Sequence, residues 1–112
     1  MSGIMAMAVG GGFVPITVTC TNPITGSGNT ATITTPPADG VATGGSGSFT
    51  WAWSYIDGDV FTVLSPTSPS SAFRIGSMLF GDFRSANYLL TATDTVTGAT
   101  GSQIVNVTAS RS

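Results

Sequence analysis

Apolar and polar side chains alternate along much of this chain with the two-residue period of β-strands. In "VPITVTC", Val14, Ile16, Val18 and Cys20 fall on one side and Thr17 and Thr19 on the other, which predicts a half-buried strand. Pro15 near its start points to a sheet edge, because proline has no N–H to give a ladder. "TNPITGSGN" has the chemistry of a turn, and "TATITT" is a second short alternating piece ended by Pro36 and Pro37. After "ADGVAT", the run "GGSGS" is a flexible turn. It leads into "FTWAWSYI", where Phe49, Trp51, Trp53 and Tyr55 share one face. Four rings exceed what a thin core can hold, so Trp53 and Trp51 are expected inside, with Phe49 and Tyr55 capping the ends. Rings of this size contribute a few kcal/mol each on burial, which makes this strand the anchor of the core.

Asp57-Gly58 within "IDGDV" predicts a two-residue hairpin. "VFTVLS" follows as a strand, "PTSPS" as a turn and "SAFRI" as another strand, and "GSMLFGDF" reads as an irregular apolar connection. A strand is predicted over Ala86–Thr93. "DTVTGATG" turns the chain, and "SQIVNVTAS" closes it with Val105 and Val107 on the side of Gln103. The pattern predicts an all-β Greek-key sandwich of about seven strands over residues 13–112. Residues 1–12 read as an extended N-terminal arm.

Composition sharpens this picture. At 112 residues the chain suffices for one two-layer core and not for two. Only 7% of residues are charged, five Asp and three Arg, with no Lys, Glu or His. The absence of Glu and Lys removes two good surface helix formers, while Thr, Val and aromatics favour strands. With a net charge of −2 and no basic cluster, the chain cannot neutralise a phosphate backbone or an anionic lipid surface, which excludes nucleic acid and membrane as partners. A surface of hydroxyls and amides repels its neighbours weakly. It suits a protein packed against others, and equally a neutral soluble domain.

Cys20 is the single cysteine, so no intrachain disulfide forms. Small secreted domains usually carry bridges, and folding in a reducing cytoplasm is expected. Near the N-terminus Ala6-Met7-Ala8 has a small-x-small step, but no Lys or Arg precedes it. Ile4–Val9 is also too short for the apolar region of a secretory signal. No stretch approaches the ~18 apolar residues of a membrane helix.

Candidate chemistry is sparse. Asp57 and Asp59 could form half of a calcium site, with only Asp82 and Asp94 left to complete it; a hairpin explains the pair without a metal. Without histidine, serine and Cys20 lack the usual base, and Cys20 lies on the apolar face of its strand. Two carboxylates in one turn are also not the opposed pair of a glycosidase. "AVGGGF" lacks the following Lys and helix of a phosphate loop. No metal, cofactor or catalytic residue is expected, and the chain is not expected to be an enzyme. Interaction surfaces remain. Ile4, Met5, Met7 and Val9 form an uncharged apolar arm suited to docking on a partner. Met78, Leu79 and Phe80 either form an exposed apolar loop or fold over the open end of the core. Leu89 alternates with inward Tyr88 and Leu90 and so faces outward.

The run Ser85-Ala86-Asn87-Tyr88-Leu89-Leu90 resembles the start of strand F in immunoglobulin-like domains. In that comparison Tyr88 is the corner tyrosine, Leu90 takes the half-cystine position and Trp53 is the strand C tryptophan. Leu90 packed on Trp53 across two facing layers would then replace the disulfide. Arg84 stands where the motif has Asp, and the second cysteine position is apolar too, which departs from antibody-type domains. Residues 40–109, with "TGGSGSFTWAWSYIDGD", "SPTSPSSAF" and "YLLTATDTVTGATGSQIVNVT", are similar to disulfide-free immunoglobulin-like and PKD-like modules of bacteria and their viruses.

The resemblance implies a virion structural protein assembled in the host cytoplasm. It would be an accessory module on a capsid or tail, with capsid or tail subunits and copies of itself as partners. The alternative is a module for cell-surface glycan, with Phe49 or Tyr55 stacking on sugar rings.

Overall fold

The computed structural model describes residues 15–112, so the predicted arm with Ile4, Met5, Met7 and Val9 lies outside the described residues. The described chain is all-β. Its strands are β1 (Thr17–Cys20), β2 (Ile24–Gly28), β3 (Ile33–Thr34), β4 (Ala38–Thr43), β5 (Phe49–Gly58), β6 (Thr62–Val63), β7 (Ser70–Ser71), β8 (Phe73–Ile75), β9 (Phe83–Asp94) and β10 (Thr100–Arg111). One layer is a four-stranded sheet in the order β2-β10-β9-β5. Facing it are two three-stranded sheets, β1-β4-β7 and β3-β8-β6. β7 and β8 are separated only by Ala72, where one run of chain changes partner from β4 to β3 and β6 and so joins the two smaller sheets.

The described strands number ten, against the seven or so that alternation predicts, and the additions have physical causes. "TNPITGSGN" is more than a turn, because Ile24–Gly28 pairs in parallel with Val107–Arg111 of β10. Its glycines disguise it. A Cβ on Gly26 would lie 3.1 Å from both Ile33 Cγ2 and Thr35 Cα, so the close passage of the β3 segment favours a residue without a side chain. "ADGVAT" is likewise a strand, paired with β1 on one side and β7 on the other.

The Asp57-Gly58 hairpin does not form. β5 runs on through Gly58, which sits opposite Ala86 of β9, and β6 pairs with β8 in the facing layer. Gly58 has a φ of +92°, and the Ser85 carbonyl occupies the space a side chain would need. The glycine serves a strand exit with a bulge between Tyr55 and Asp57 instead of a tight reversal.

Burial alternates along β9 and β10 as the pattern requires. Ala86, Tyr88, Leu90, Ala92 and Asp94 point inward from β9, and Val105, Val107 and Ala109 from β10. Phe73 of the facing layer is fully buried between them. It meets Trp53 edge-on at 5.2 Å between ring centroids and Tyr88 at 5.1 Å. Trp53 Nε1 donates to the Ser68 carbonyl at 2.9 Å. The Tyr88 hydroxyl accepts from the Phe61 N–H and donates to the Phe61 carbonyl, each at 2.9 Å. Both polar tips of the aromatic core are therefore satisfied against backbone of the β5–β8 segment, which removes the penalty of burying them.

Trp53 and Leu90 do not face each other across the two layers as expected. They are direct partners on adjacent strands of the same sheet. Leu90 reaches the facing layer through Gly40 of β4 instead, where its Cδ2 occupies the space a Cβ on Gly40 would take. Trp51 is half-buried against the core beside Phe49, at 6.2 Å between centroids.

Candidate interaction surface

The long strands β9 and β10 run the length of the sandwich and define two poles. At one, Asp94 ends β9 with its side chain buried. One carboxylate oxygen accepts from the Ser46 N–H at 2.6 Å. The other accepts from Ser46 Oγ at 2.8 Å, Val96 N at 2.8 Å and Thr97 N at 3.1 Å. The Ser46 N–H is the largest influence holding this carboxyl well below the usual carboxylate range; burial opposes it, and the Val96, Ser46 hydroxyl and Thr97 donors assist. Gly45, with a φ of +58°, lies so close to Asp94 Oδ2 that a side chain there would collide with it. This carboxylate pins the Gly44–Ser48 loop to the β9–β10 turn.

The consequence for pH follows from the sign of the shift. A carboxyl whose folded pKa is depressed stabilises the fold fully above its unfolded value of about 3.9, and that contribution is lost as pH falls toward the folded value. The melting temperature is expected to drop on acidification below about pH 4. An Asp94→Asn chain should melt lower at neutral pH and converge on the parent in acid. Thermal melts across the acid range test this, and parallel losses in both chains would rule Asp94 out as the acid-labile contact.

At the other pole, the 76–82 connection closes the core and also carries the most exposed apolar cluster among the predicted residues. Of the two arrangements open to Met78, Leu79 and Phe80, Met78 takes the one that closes the core: it is 1% exposed and part of the core. Its N–H donates to the Ala31 carbonyl at 3.0 Å. Leu79 and Phe80 are 70% and 72% exposed. They sit on a turn fixed at both ends, with Leu79 N–H donating to Asp82 Oδ2 at 2.8 Å and Gly81 N–H to the Arg111 carbonyl at 2.8 Å. The Leu79 N–H and the neighbouring Arg84 guanidinium also hold the Asp82 carboxyl below its ordinary value.

The Arg111 guanidinium covers one face of the Phe80 ring at 3.9 Å, and Phe83, 64% exposed, begins β9 on the outer face of the sheet. Arg111 is itself anchored, donating from Nη1 to the Met78 carbonyl at 2.6 Å and from Nε to the Asn29 carbonyl at 3.2 Å. Phe83 was legible in the alternation, since it shares the outward parity of Leu89 while Ala86, Tyr88 and Leu90 point inward. The Arg111 stack joins residues 31 positions apart, and no local pattern announces it.

The remaining candidates are scattered. Leu89 lies on the outer face of β9 and is half-covered. Tyr55 is exposed, donates its hydroxyl to the Gly58 carbonyl at 2.5 Å and leans edge-on against Tyr88 at 5.7 Å. Phe49 is half-buried at the far end of the same strand, six residues or about 20 Å away, so the two rings do not form one platform. Cys20 is half-buried, and burial, with the nearby Asp39, raises its thiol pKa. Asp57 accepts from Asn87 Nδ2 at 2.8 Å and Asp59 from the Ser85 N–H at 3.0 Å, so each carboxylate braces β9. Among the described residues no three acidic or cysteine side chains gather as a metal site would require. No protein-family model, no curated protein and no solved structure matches the chain.

Proposed function

We propose that this chain is a non-enzymatic structural module of a bacteriophage particle, an immunoglobulin-like accessory domain docked on the capsid or tail. The observation that carries the reading is the apolar pair Leu79 and Phe80, held on a hydrogen-bonded turn and left in solvent. Large exposed aromatics on a well-fixed frame, flanked by arginine, are the composition of an interface core. The uncharged arm with Ile4, Met5, Met7 and Val9, and the motif resemblance around Trp53 and Tyr88, support the same reading. The mechanism is passive: the sandwich is a rigid spacer, and its apolar extensions lock onto neighbouring subunits in the particle. A glycan-binding role is the weaker alternative, because Phe49 and Tyr55 are separated and the Tyr55 hydroxyl is already engaged with Gly58.

Deleting residues 2–12 is expected to leave a folded domain that no longer enters the particle. Occupancy in purified particles, set against the melting temperature of the truncated chain, tests it. Full occupancy by the truncated chain would overturn the docking role of the arm.

A further inference from the structure

We propose that the Leu79–Phe80 turn is the seat for the N-terminal arm of a second copy of this chain, so that copies join head to tail. The inference rests on the docking role given to the arm above and adds its partner and its address.

Geometry separates the two ends of such a contact. The described chain begins beside Ile16, whose carbonyl lies 2.6 Å from the place a Cβ on Gly101 would take and whose Cδ1 lies 2.6 Å from that of Gly45. The arm therefore leaves from the Asp94 pole. Gly101 is level with Ala92 of β9, and the 79–82 turn lies just before Phe83, nine residues down the same strand or roughly 30 Å away. Val9 precedes Ile16 by seven residues and can reach at most about 25 Å fully extended. Met7 arrives only with no slack. An arm cannot bring Met5, Met7 and Val9 together onto the turn of its own chain. The arm of a neighbouring copy carries no such limit.

The chemistry of the two surfaces agrees. Met5, Met7 and Val9 occupy alternate positions and share one face when extended. The seat offers a phenylalanine ring and a leucine, and thioether sulfur packs favourably at aromatic edges. Arg111 holds one face of Phe80 and leaves the other open, so the ring is oriented before anything docks. The arm bears no side-chain charge, so its docking buries no unpaired ion beside Arg111 and Arg84. Because the root of the arm at Ile16 and the seat lie at opposite poles, the contact is heterologous and propagates as a chain or closes as a ring.

The test is a complementation between two variants, each missing one half of the contact. One lacks residues 2–12 and keeps the seat. The other carries Leu79→Ser and Phe80→Ser and keeps the arm. Both substitutions are at exposed positions, so both chains should fold, as circular dichroism and thermal melts would verify. In sedimentation velocity the full chain is expected to self-associate with rising concentration, each variant alone to stay monomeric, and an equimolar mixture to form a one-to-one complex that grows no further. Two folded variants that fail to combine, or a variant that self-associates as the full chain does, would overturn the proposal. Particle incorporation is measured separately: if the mixture stays monomeric while the truncated chain is still excluded from particles, the arm docks on another virion protein and the structural role stands.

Discussion

Replacing Phe73 with alanine is expected to cost about 3–5 kcal/mol of stability, the largest effect of any single truncation in this domain. Phe73 is fully buried and touches both other aromatic anchors, Trp53 from β5 and Tyr88 from β9. It belongs to the facing layer, so its ring fills the space between the layers and nothing adjacent can slide in to replace it. Its backbone is also committed, with the N–H donating to Thr35 Oγ1 at 3.0 Å and the carbonyl accepting from Thr35 N at 2.8 Å. The cavity therefore cannot collapse by moving the strand. Small domains are stable by only about 5–15 kcal/mol, so the loss should lower the melting temperature by on the order of 15–25 °C. Chemical denaturation gives the free energy directly. A loss below about 1 kcal/mol would mean that the aromatic cluster is not the centre of the core.

The second large effect is a gain that depends on oxidation. Leu90 Cδ2 lies where a Cβ on Gly40 would fall, so this pair spans the two layers where a bridge between sheets would sit. The double variant Gly40→Cys with Leu90→Cys, made with Cys20→Ser, is expected to form a disulfide. The last change is needed because Cys20 is the direct cross-strand partner of Gly40 and would compete for the new thiol. The bond closes a loop of about 50 residues, for which the chain-entropy account gives about 4 kcal/mol. Reduced, the same protein should be less stable than the parent, because the leucine that packs against Gly40 is gone. The difference in melting temperature between oxidised and reduced forms measures the bond. Two free thiols persisting under oxidant would show that the layers are set too far apart for it.

These two sites show what the sequence revealed and what it hid. The inward parity of Trp53, Tyr88, Leu90, Val105 and Val107 follows from alternation alone, because each lies on a long strand with a neighbour on both sides or a full ladder on one. The apposition of Leu90 and Gly40 does not. It joins two layers, and a glycine leaves no apolar mark in a pattern. β2 was hidden for the same reason, since Gly26 and Gly28 suit the close approach of β3 yet spell a turn when read locally. At Asp57-Gly58 the local rule failed for another cause. The dipeptide would form a hairpin if the following residues paired back on β5, but Phe61 is drawn into the core, where the Tyr88 hydroxyl binds its backbone. At the candidate surface, the apolar run of Met78, Leu79 and Phe80 was readable, but not which of them stays exposed and which folds over the open end of the core. The burial of Met78 between apolar neighbours of equal hydrophobicity was decided by which side chain the open end of the core could accept.

The parallel pairing of β2 with β10 links residues 24–28 to 107–111. During synthesis the earlier strand emerges long before its mate exists, and the four-stranded sheet cannot close until residue 111 has cleared the ribosomal exit tunnel. Until then β2 has no parallel mate, and its ladder edge is open to every nascent copy nearby.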